Sequence, residues 1–344
     1  MKALVVRLSS IGDVVHTLPA LAALRRAGWE AGWLVEPPAR VLLEGNPAVS
    51  EVFAAPPAKA FGWQAALAPL RALRARRYDV ALDFQGLWKS AAWARLSGAA
   101  HVVGWQADSR REPASQLLIG ERVVRKGDGR RHVIDKNLEL LAPLGIAADG
   151  ARDFPLPRPR ESVARVDEGL RGIAASALVI LNPGGGWASK RWPAERFGEL
   201  ARGLRASGLH PLVSWGPGEQ DLADRVVAAS GGAADRSLPT SLLDFVELAR
   251  RARLVVAADT GPLHIACAVG TPVVGLFGPT DPARNGPFAS SDVVLRRTPV
   301  CAPCYSRGCL RHAGIMGEIS TGEVQDAVAR RLATAEQERI ARAV

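Results

Sequence analysis

Apolar residues along this chain fall into short β-branched runs, separated by longer stretches whose apolar positions recur every three or four residues. The first pattern marks strands buried on both faces and the second amphipathic helices, so their alternation predicts an α/β fold built on parallel sheets. ALVVRL (residues 3–8) is the first strand. The polar loop SSIGD follows, and Val14, Leu18, Leu21 and Leu24 mark one face of a helix. AGWLVE (31–36) is the next strand, followed by a helical stretch over 63–77, the strand YDVALDF (78–84) and a helix after Gln85 and Gly86. Within GARDFPLPRPR (150–160) three prolines permit neither a helix nor a central strand, which places a domain boundary there. A second series then runs through ALVILN (177–182), a helix over 193–206, HPLVSW (210–215) and helices over 219–229 and 242–251. After Ile319, Ser320 and Glu323 stand at capping-box spacing and start a last helix, 322–343. No internal sequence repeat is visible.

The stretch DTGPLHIACAVGTPVVGLFGPTDPARNGP (259–287) concentrates the polar chemistry. It follows the apolar run LVVAA and reads as strand, helix, strand: Thr260 can cap the helix, Pro262 suits an early position that needs no amide donor, and Gly270 ends it. Asp259, Thr260 and His264 are thereby gathered at the carboxyl end of a parallel strand. Open parallel sheets bind ligands there, and a helix amino terminus suits a phosphate. An ordinary βαβ unit with a capped helix fits the same spacing. The four glycines and three prolines in 260–280 argue against one continuous membrane-spanning helix.

With 344 residues, 48% apolar and 23% charged, the chain is long enough for two soluble domains, each with its own core. The net charge of +10, carried mostly by arginine, favours an anionic partner: nucleic acid, a phosphorylated small molecule or an acidic membrane surface. The basic residues are scattered, and no nucleic-acid-binding motif is found. Four apolar residues between Lys2 and Arg7 are too few for an export signal, so a cytoplasmic location is expected. SSIGD lacks GxGxxG, and a dinucleotide fingerprint is unsupported.

Three motifs in order, VVRLSSIGDVVHTLPAL, NPGGGWASKRWPAERF and ADTGPLHIACAVGTPVVGLFGPTDPARNGP, resemble the lipopolysaccharide heptosyltransferases, the ADP-heptose-using inverting enzymes of glycosyltransferase family 9. The likeness spans nearly the whole chain and is greatest to the first heptosyltransferase. It implies a GT-B fold: two doubly wound Rossmann-like domains facing across a cleft, with an acceptor domain (1–155), a nucleotide-sugar domain (156–320) and a terminal helix (321–344) packing back toward the first. It also implies transfer of L-glycero-D-manno-heptose from ADP-heptose to a Kdo residue of the lipopolysaccharide inner core, by an enzyme peripheral to the inner face of the inner membrane. Transfer to the first heptose, or to a different glycan or protein acceptor, is the alternative. No cofactor is required for the chemistry, and nucleic acid is not an expected partner. A related nucleotide-sugar epimerase would use similar phosphate contacts without an acceptor, and a non-catalytic anion-binding or nucleic-acid-binding protein is the other alternative.

Inverting transfer needs a base for the acceptor hydroxyl and stabilisation of the departing diphosphate. Asp13, after the first strand, falls on the family's catalytic aspartate; a plain helix N-cap is the competing role. Gly184, Gly185 and Gly186 let backbone amides approach an anion, and Lys190 adds a full charge. The resemblance assigns Gly185, Gly186, Lys190, Thr260 and Gly261 to the donor diphosphate, and Glu219, Asp259 and His264 to the donor sugar or nucleoside. A surface lysine and a satisfied structural histidine are the plainer roles for Lys190 and His264. Relatives often carry hydroxyl residues at the second and third glycines, so here the backbone alone has to serve. For the acceptor, DFQGLWKSA and WQADSRREPAS suggest Lys89 and Arg111, the latter able to grip a carboxylate through two parallel bonds; surface salt bridges compete. Cys301, Cys304, Cys309 and His312 form a set that could close a structural zinc or iron site, with free thiols as the alternative.

Overall fold

The computed structural model describes residues 1–56, 63–125, 131–147, 150–304 and 314–343. Its contacts divide the chain into two compact units, Met1–Pro157 and Arg158–Val344, and the division falls inside the proline-rich connection.

The first unit holds a parallel sheet of β1 (Lys2–Val6), β2 (Glu30–Val35), β3 (Glu51–Ala54), β4 (Val80–Asp83), β5 (His101–Trp105) and β6 (Glu121–Val123). Their order is β3-β2-β1-β4-β5-β6. Strand β1 pairs with β2 on one side, Val5 opposite Trp33, and with β4 on the other, Val5 opposite Leu82. The second unit repeats the plan with β7 (Leu178–Asn182), β8 (His210–Val213), β9 (Asp235–Arg236), β10 (Leu254–Ala258), β11 (Val273–Phe277) and β12 (Val293–Arg296). Its order is β12-β11-β10-β7-β8-β9. Counted from the start of each unit, both orders are the doubly wound 3-2-1-4-5-6, and the strand order reverses between β1 and β4 and between β7 and β10. The central strands β7, β10 and β11 are buried at every residue, so their side chains can be apolar on both faces without alternation.

The helix expected from Val14 onward is two. Helix α1 (Ile11–Val15) ends at His16, and α2 (Leu18–Arg26) restarts after Thr17 with Pro19 in its first turn. The first unit also has α3 (Pro37–Arg40), α4 (Trp63–Ala75), α5 (Trp88–Leu96) and α6 (Val133–Glu139), and α7 (Arg160–Gly169) opens the second. The second unit adds α8 (Ala194–Ala206), α9 (Gln220–Ser230), α10 (Leu242–Arg251), α11 (Gly261–Ala268), α12 (Pro282–Asn285) and α13 (Thr321–Ala343). The capping box of α13 forms as expected: Ser320 N–H donates to Glu323 Oε2 at 2.9 Å, and Glu323 N–H returns to Ser320 Oγ at 3.3 Å. Helix α13 packs on α8, β10, β11 and β12 of its own unit. Arg331 fastens it through a buried pair with Asp292 at 2.8 Å.

Candidate active site

In the first unit the polar groups collect where β1, β2, β4 and β5 end. Ser10 is the N-cap of α1 and Asp13 its third residue, so Asp13 is not the cap. Its carboxylate reaches back instead: Oδ2 accepts from Ser10 N–H and Ser10 Oγ, both at 3.1 Å. Oδ1 accepts from the Arg7 guanidinium, whose side chain is buried, while the Asp13 side chain keeps 33% exposure. Arg7 also donates to the carbonyl of Phe84, beyond β4. Arg7 lies inside the expected strand, and its only signal in the sequence is a charged residue within an otherwise apolar run.

Around this pair, Gln85 Oε1 accepts from Leu8 N–H at 2.7 Å, and Asp83 Oδ1 holds the Gln85 and Gly86 amides at 3.1 and 3.2 Å. Asp83 is neutralised by Arg110 at 2.5 Å, both side chains fully buried. Its neighbour Arg111 is exposed, as an acceptor-binding residue needs to be. Lys89 is already engaged, donating to Glu36 Oε1 at 2.5 Å and to the Pro56 carbonyl at 3.2 Å. Lys89 thus shares its charge with Glu36.

In the second unit the loop after β7 meets the loops after β8, β10 and β11. Lys190 Nζ lies 2.6 Å from Asp259 Oδ2 and 4.4 Å from the Trp187 ring centroid. Asp259 is nearly buried, and Thr280 Oγ1 (2.7 Å) also donates to Oδ2. Asn285 Nδ2 (2.6 Å) and His264 Nε2 (3.3 Å) reach Oδ1. Burial alone would raise the carboxyl pKa of Asp259, yet the hydrogen bond from His264 and the charge of Lys190 hold it well below the usual range. Four partners occupy this carboxylate, so the expected hold on donor hydroxyls has to compete with them. His264, expected either at the donor or as a structural residue, is buried with its ring on Asp259.

Glu219 sits at the N-cap position of α9 and turns back to the glycine loop: Oε1 accepts from Gly185 N–H at 3.0 Å and Oε2 from Gly216 N–H at 3.2 Å. The Gly185 amide, expected at the donor diphosphate, carries a carboxylate here. A Cβ on Gly184 would stand 2.4 Å from Glu219 Oε2, and one on Gly185 would stand 3.2 Å from the Thr260 methyl, whereas Gly186 borders open space. Thr260 occupies the N-cap position of α11, but its hydroxyl donates to the Ala258 carbonyl at 3.2 Å and forms no cap bond. The first-turn amides of α11, from Gly261 on, lack intrahelical acceptors and carry its positive end. Arg191, like Arg7 not among the site residues expected from the sequence, braces the loop through the Gly185 carbonyl at 2.8 Å.

Cys301 and Cys304 form no disulfide among the described residues, and Cys309 and His312 lie outside the described residues. Among the described residues no three His, Cys, Asp or Glu side chains gather as a metal site.

Both constellations thus lie at the carboxyl ends of strands flanking a switch point, where doubly wound sheets bind ligands. The family model for glycosyltransferase family 9 (heptosyltransferase) matches residues 67–313. The chain belongs to that family. Members are glycosyltransferases, and this chain is one. It is 35% identical to lipopolysaccharide heptosyltransferase 1 of Pseudomonas aeruginosa, over 90% of this chain and 87% of the relative. To lipopolysaccharide heptosyltransferase 1 of Escherichia coli K12 it is 32% identical, over 86% and 93%. The solved structure of E. coli heptosyltransferase WaaC with ADP-2-deoxy-2-fluoro heptose matches with a TM-score of 0.76 at 26% identity, covering 96% of this chain and 99% of that one. The fold is GT-B, as the resemblance implied.

Proposed function

We propose that this glycosyltransferase moves L-glycero-D-manno-heptose from ADP-heptose, with inversion, to a Kdo residue of the lipopolysaccharide inner core. The observation that carries the reading is the 35% identity to a heptosyltransferase 1 over nine-tenths of the chain. The WaaC structure, which holds an ADP-heptose analogue, supports the donor.

In this reading the acceptor oxygen attacks the anomeric carbon as Asp13 takes its proton. The bond from that carbon to the β-phosphate oxygen breaks, and its electron pair leaves with ADP. A carboxylate is far less basic than an alkoxide, so proton transfer accompanies attack. Lys190, the Gly186 amide and the amino terminus of α11 at Thr260 and Gly261 offset the charge growing on the diphosphate. Lys190 has three donors, so it can serve a phosphate oxygen while still paired with Asp259. Glu219, His264 and Asp259 border the donor sugar and nucleoside, and Arg111 and Lys89 receive the acidic acceptor. No step uses a cofactor, and a metal held by Cys301, Cys304, Cys309 and His312 is structural. One zinc or iron per chain in protein purified without chelator supports that site, and metal-free protein removes it.

We place the enzyme in the cytoplasm at the inner face of the inner membrane, where its lipid acceptor and the chain's net charge of +10 favour contact with acidic headgroups. No described helix is long and apolar enough to cross a membrane. The test is purified protein with ADP-heptose and separate Kdo-lipid A and heptosyl-Kdo-lipid A acceptors. Mass spectra are expected to show one heptose added to Kdo-lipid A. Addition only to the heptosylated acceptor would make the enzyme a second heptosyltransferase, and no product with either would overturn the reading.

A further inference from the structure

We propose that Arg7 is a positioning residue for this reaction, aiming the Asp13 carboxylate at the acceptor hydroxyl. The proposal rests on Asp13 as the base.

Helix α1 has five residues, too few to hold a fixed orientation by its own hydrogen bonds. Its carboxylate therefore needs an external reference. Arg7 supplies one because its backbone is fastened to β2 through both of its polar groups: its N–H donates to the Leu34 carbonyl at 3.3 Å, and its own carbonyl accepts from Trp33 Nε1 at 3.1 Å. The side chain then spans from β1 to the end of β4, with Nη1 on the Phe84 carbonyl and Nη2 on Asp13 Oδ1. Phe84 is anchored in turn, its N–H donating to the Val6 carbonyl at 3.2 Å. The guanidinium thus ties Asp13 to three strand ends through a planar fork that neither rotates nor loses its proton.

The arrangement also leaves work for the carboxylate. Arg7 takes Oδ1 and Ser10 takes Oδ2 through two donors, yet a third of the Asp13 side chain remains open to solvent. A guanidinium buried to 93% of its side chain is an unusual choice for a surface-type ion pair, and Arg7 Nε has no hydrogen-bond partner among the described residues. That cost is understandable if the fork's purpose is the direction of the carboxylate rather than the stability of the sheet.

The test is a double-mutant cycle in the full chain, with ADP-heptose and the lipid acceptor that the product assay selects. Arg7→Gln is expected to lower kcat about 10- to 100-fold, the scale on which a misplaced reacting group loses rate, with the KM for ADP-heptose changed by less than about twofold. Arg7→Lys, which keeps the charge and one of the two contacts, should recover part of the loss and stay clearly below wild type. In an Asp13→Asn background, either Arg7 substitution should cost no more than about twofold, because a residue acting through Asp13 has nothing left to aim. An equal cost with and without Asp13, or a Lys variant no better than Gln, overturns the proposal and leaves Arg7 a structural residue. Should Arg7→Gln fail to fold, Arg7→Lys carries the same cycle alone: any loss it shows must vanish in the Asp13→Asn background, and full activity would overturn the need for the fork. Near-wild-type turnover by Asp13→Asn itself would remove the base, and Arg7's role with it; an inactive Asp13→Asn with additive Arg7 losses would remove only the role of Arg7.

Discussion

With its ammonium 2.6 Å from Asp259 Oδ2, Lys190 already balances a nearly buried carboxylate before any diphosphate arrives. Lys190→Ala therefore removes two things, the charge proposed to meet the departing diphosphate and a partner for Asp259. We expect kcat to fall and the KM for ADP-heptose to rise, together with a stability loss of roughly 1–3 kcal/mol, the scale of a hydrogen bond to a charged group. The sign of the pH dependence follows from the lowered pKa of Asp259, against which burial works and which His264 and Lys190 bring about. A carboxyl whose folded pKa is depressed contributes stability above its unfolded value, about 3.9, and that contribution fades as pH falls through the folded value. The difference in Tm between wild type and Lys190→Ala should thus be largest above about pH 5 and close as the pH drops below about 4. A constant difference across that range would detach Asp259 from the effect, and an unchanged kcat/KM for ADP-heptose would detach Lys190 from the donor. The sequence made Lys190 legible through the glycines ahead of it. Its partner stands 69 residues away, and only the pairing of β7 with β10 brings the two together. Arg7 and Asp13 are six residues apart, yet their contact was equally hidden, because the turn through Ser9 and Ser10 decides which way each side chain points.

At the scale of elements, the turn after β7 has the shape of a glycine-rich phosphate loop, but its Gly185 amide is bonded to Glu219. Gly184→Ala is the sharpest probe, since a Cβ 2.4 Å from Glu219 Oε2 forces that carboxylate off the Gly185 amide. The expected result is a rise of about tenfold in the KM for ADP-heptose, equivalent to about 1.4 kcal/mol of binding, with the KM for the acceptor little changed. Equal donor KM values for wild type and variant would mean that the Glu219 contact is irrelevant to donor binding. Long buried strands such as β7, β10 and β11 were legible because both faces are apolar. Strands β3, β6, β9 and β12 were not: they are edge strands of two to four residues carrying Glu51, Glu121, Asp235 and Arg296, and charge at an edge blunts the apolar signal. The break between α1 and α2 escaped for a different reason. Val14, Leu18 and Leu21 keep helical spacing across it, so periodicity alone draws one helix.

Across the whole molecule, the two units share one strand order although no repeat is visible in the sequence, because the order is fixed by connection and handedness rather than by side-chain identity. Their chemistry is divided. Asp13, Lys89 and Arg111 belong to the first unit, while Gly186, Lys190, Glu219, Asp259, Thr260, Gly261 and His264 all belong to the second. The second unit also carries its own core, in which Val179, Leu181, Phe197, Val256 and Leu276 pack with Val324 and Val328 of the terminal helix. Arg297 grips Glu323 through two bonds of 2.6 and 2.7 Å, so α13 closes this unit rather than hanging from it. A domain with its own sheet, core and closing helix is expected to fold alone. Residues 158–344, expressed without the first unit, should therefore unfold cooperatively and bind ADP with a Kd within about tenfold of the full chain, since every protein group proposed for the diphosphate is present. The same fragment should form no product with any acceptor, because Asp13 is absent. Calorimetric titration with ADP, run beside the transfer assay, reads both expectations. A folded fragment that ignores ADP would mean that groups from the first unit are needed for donor binding, and the assignment of Lys190, Thr260 and Gly261 as a sufficient diphosphate site would have to be abandoned.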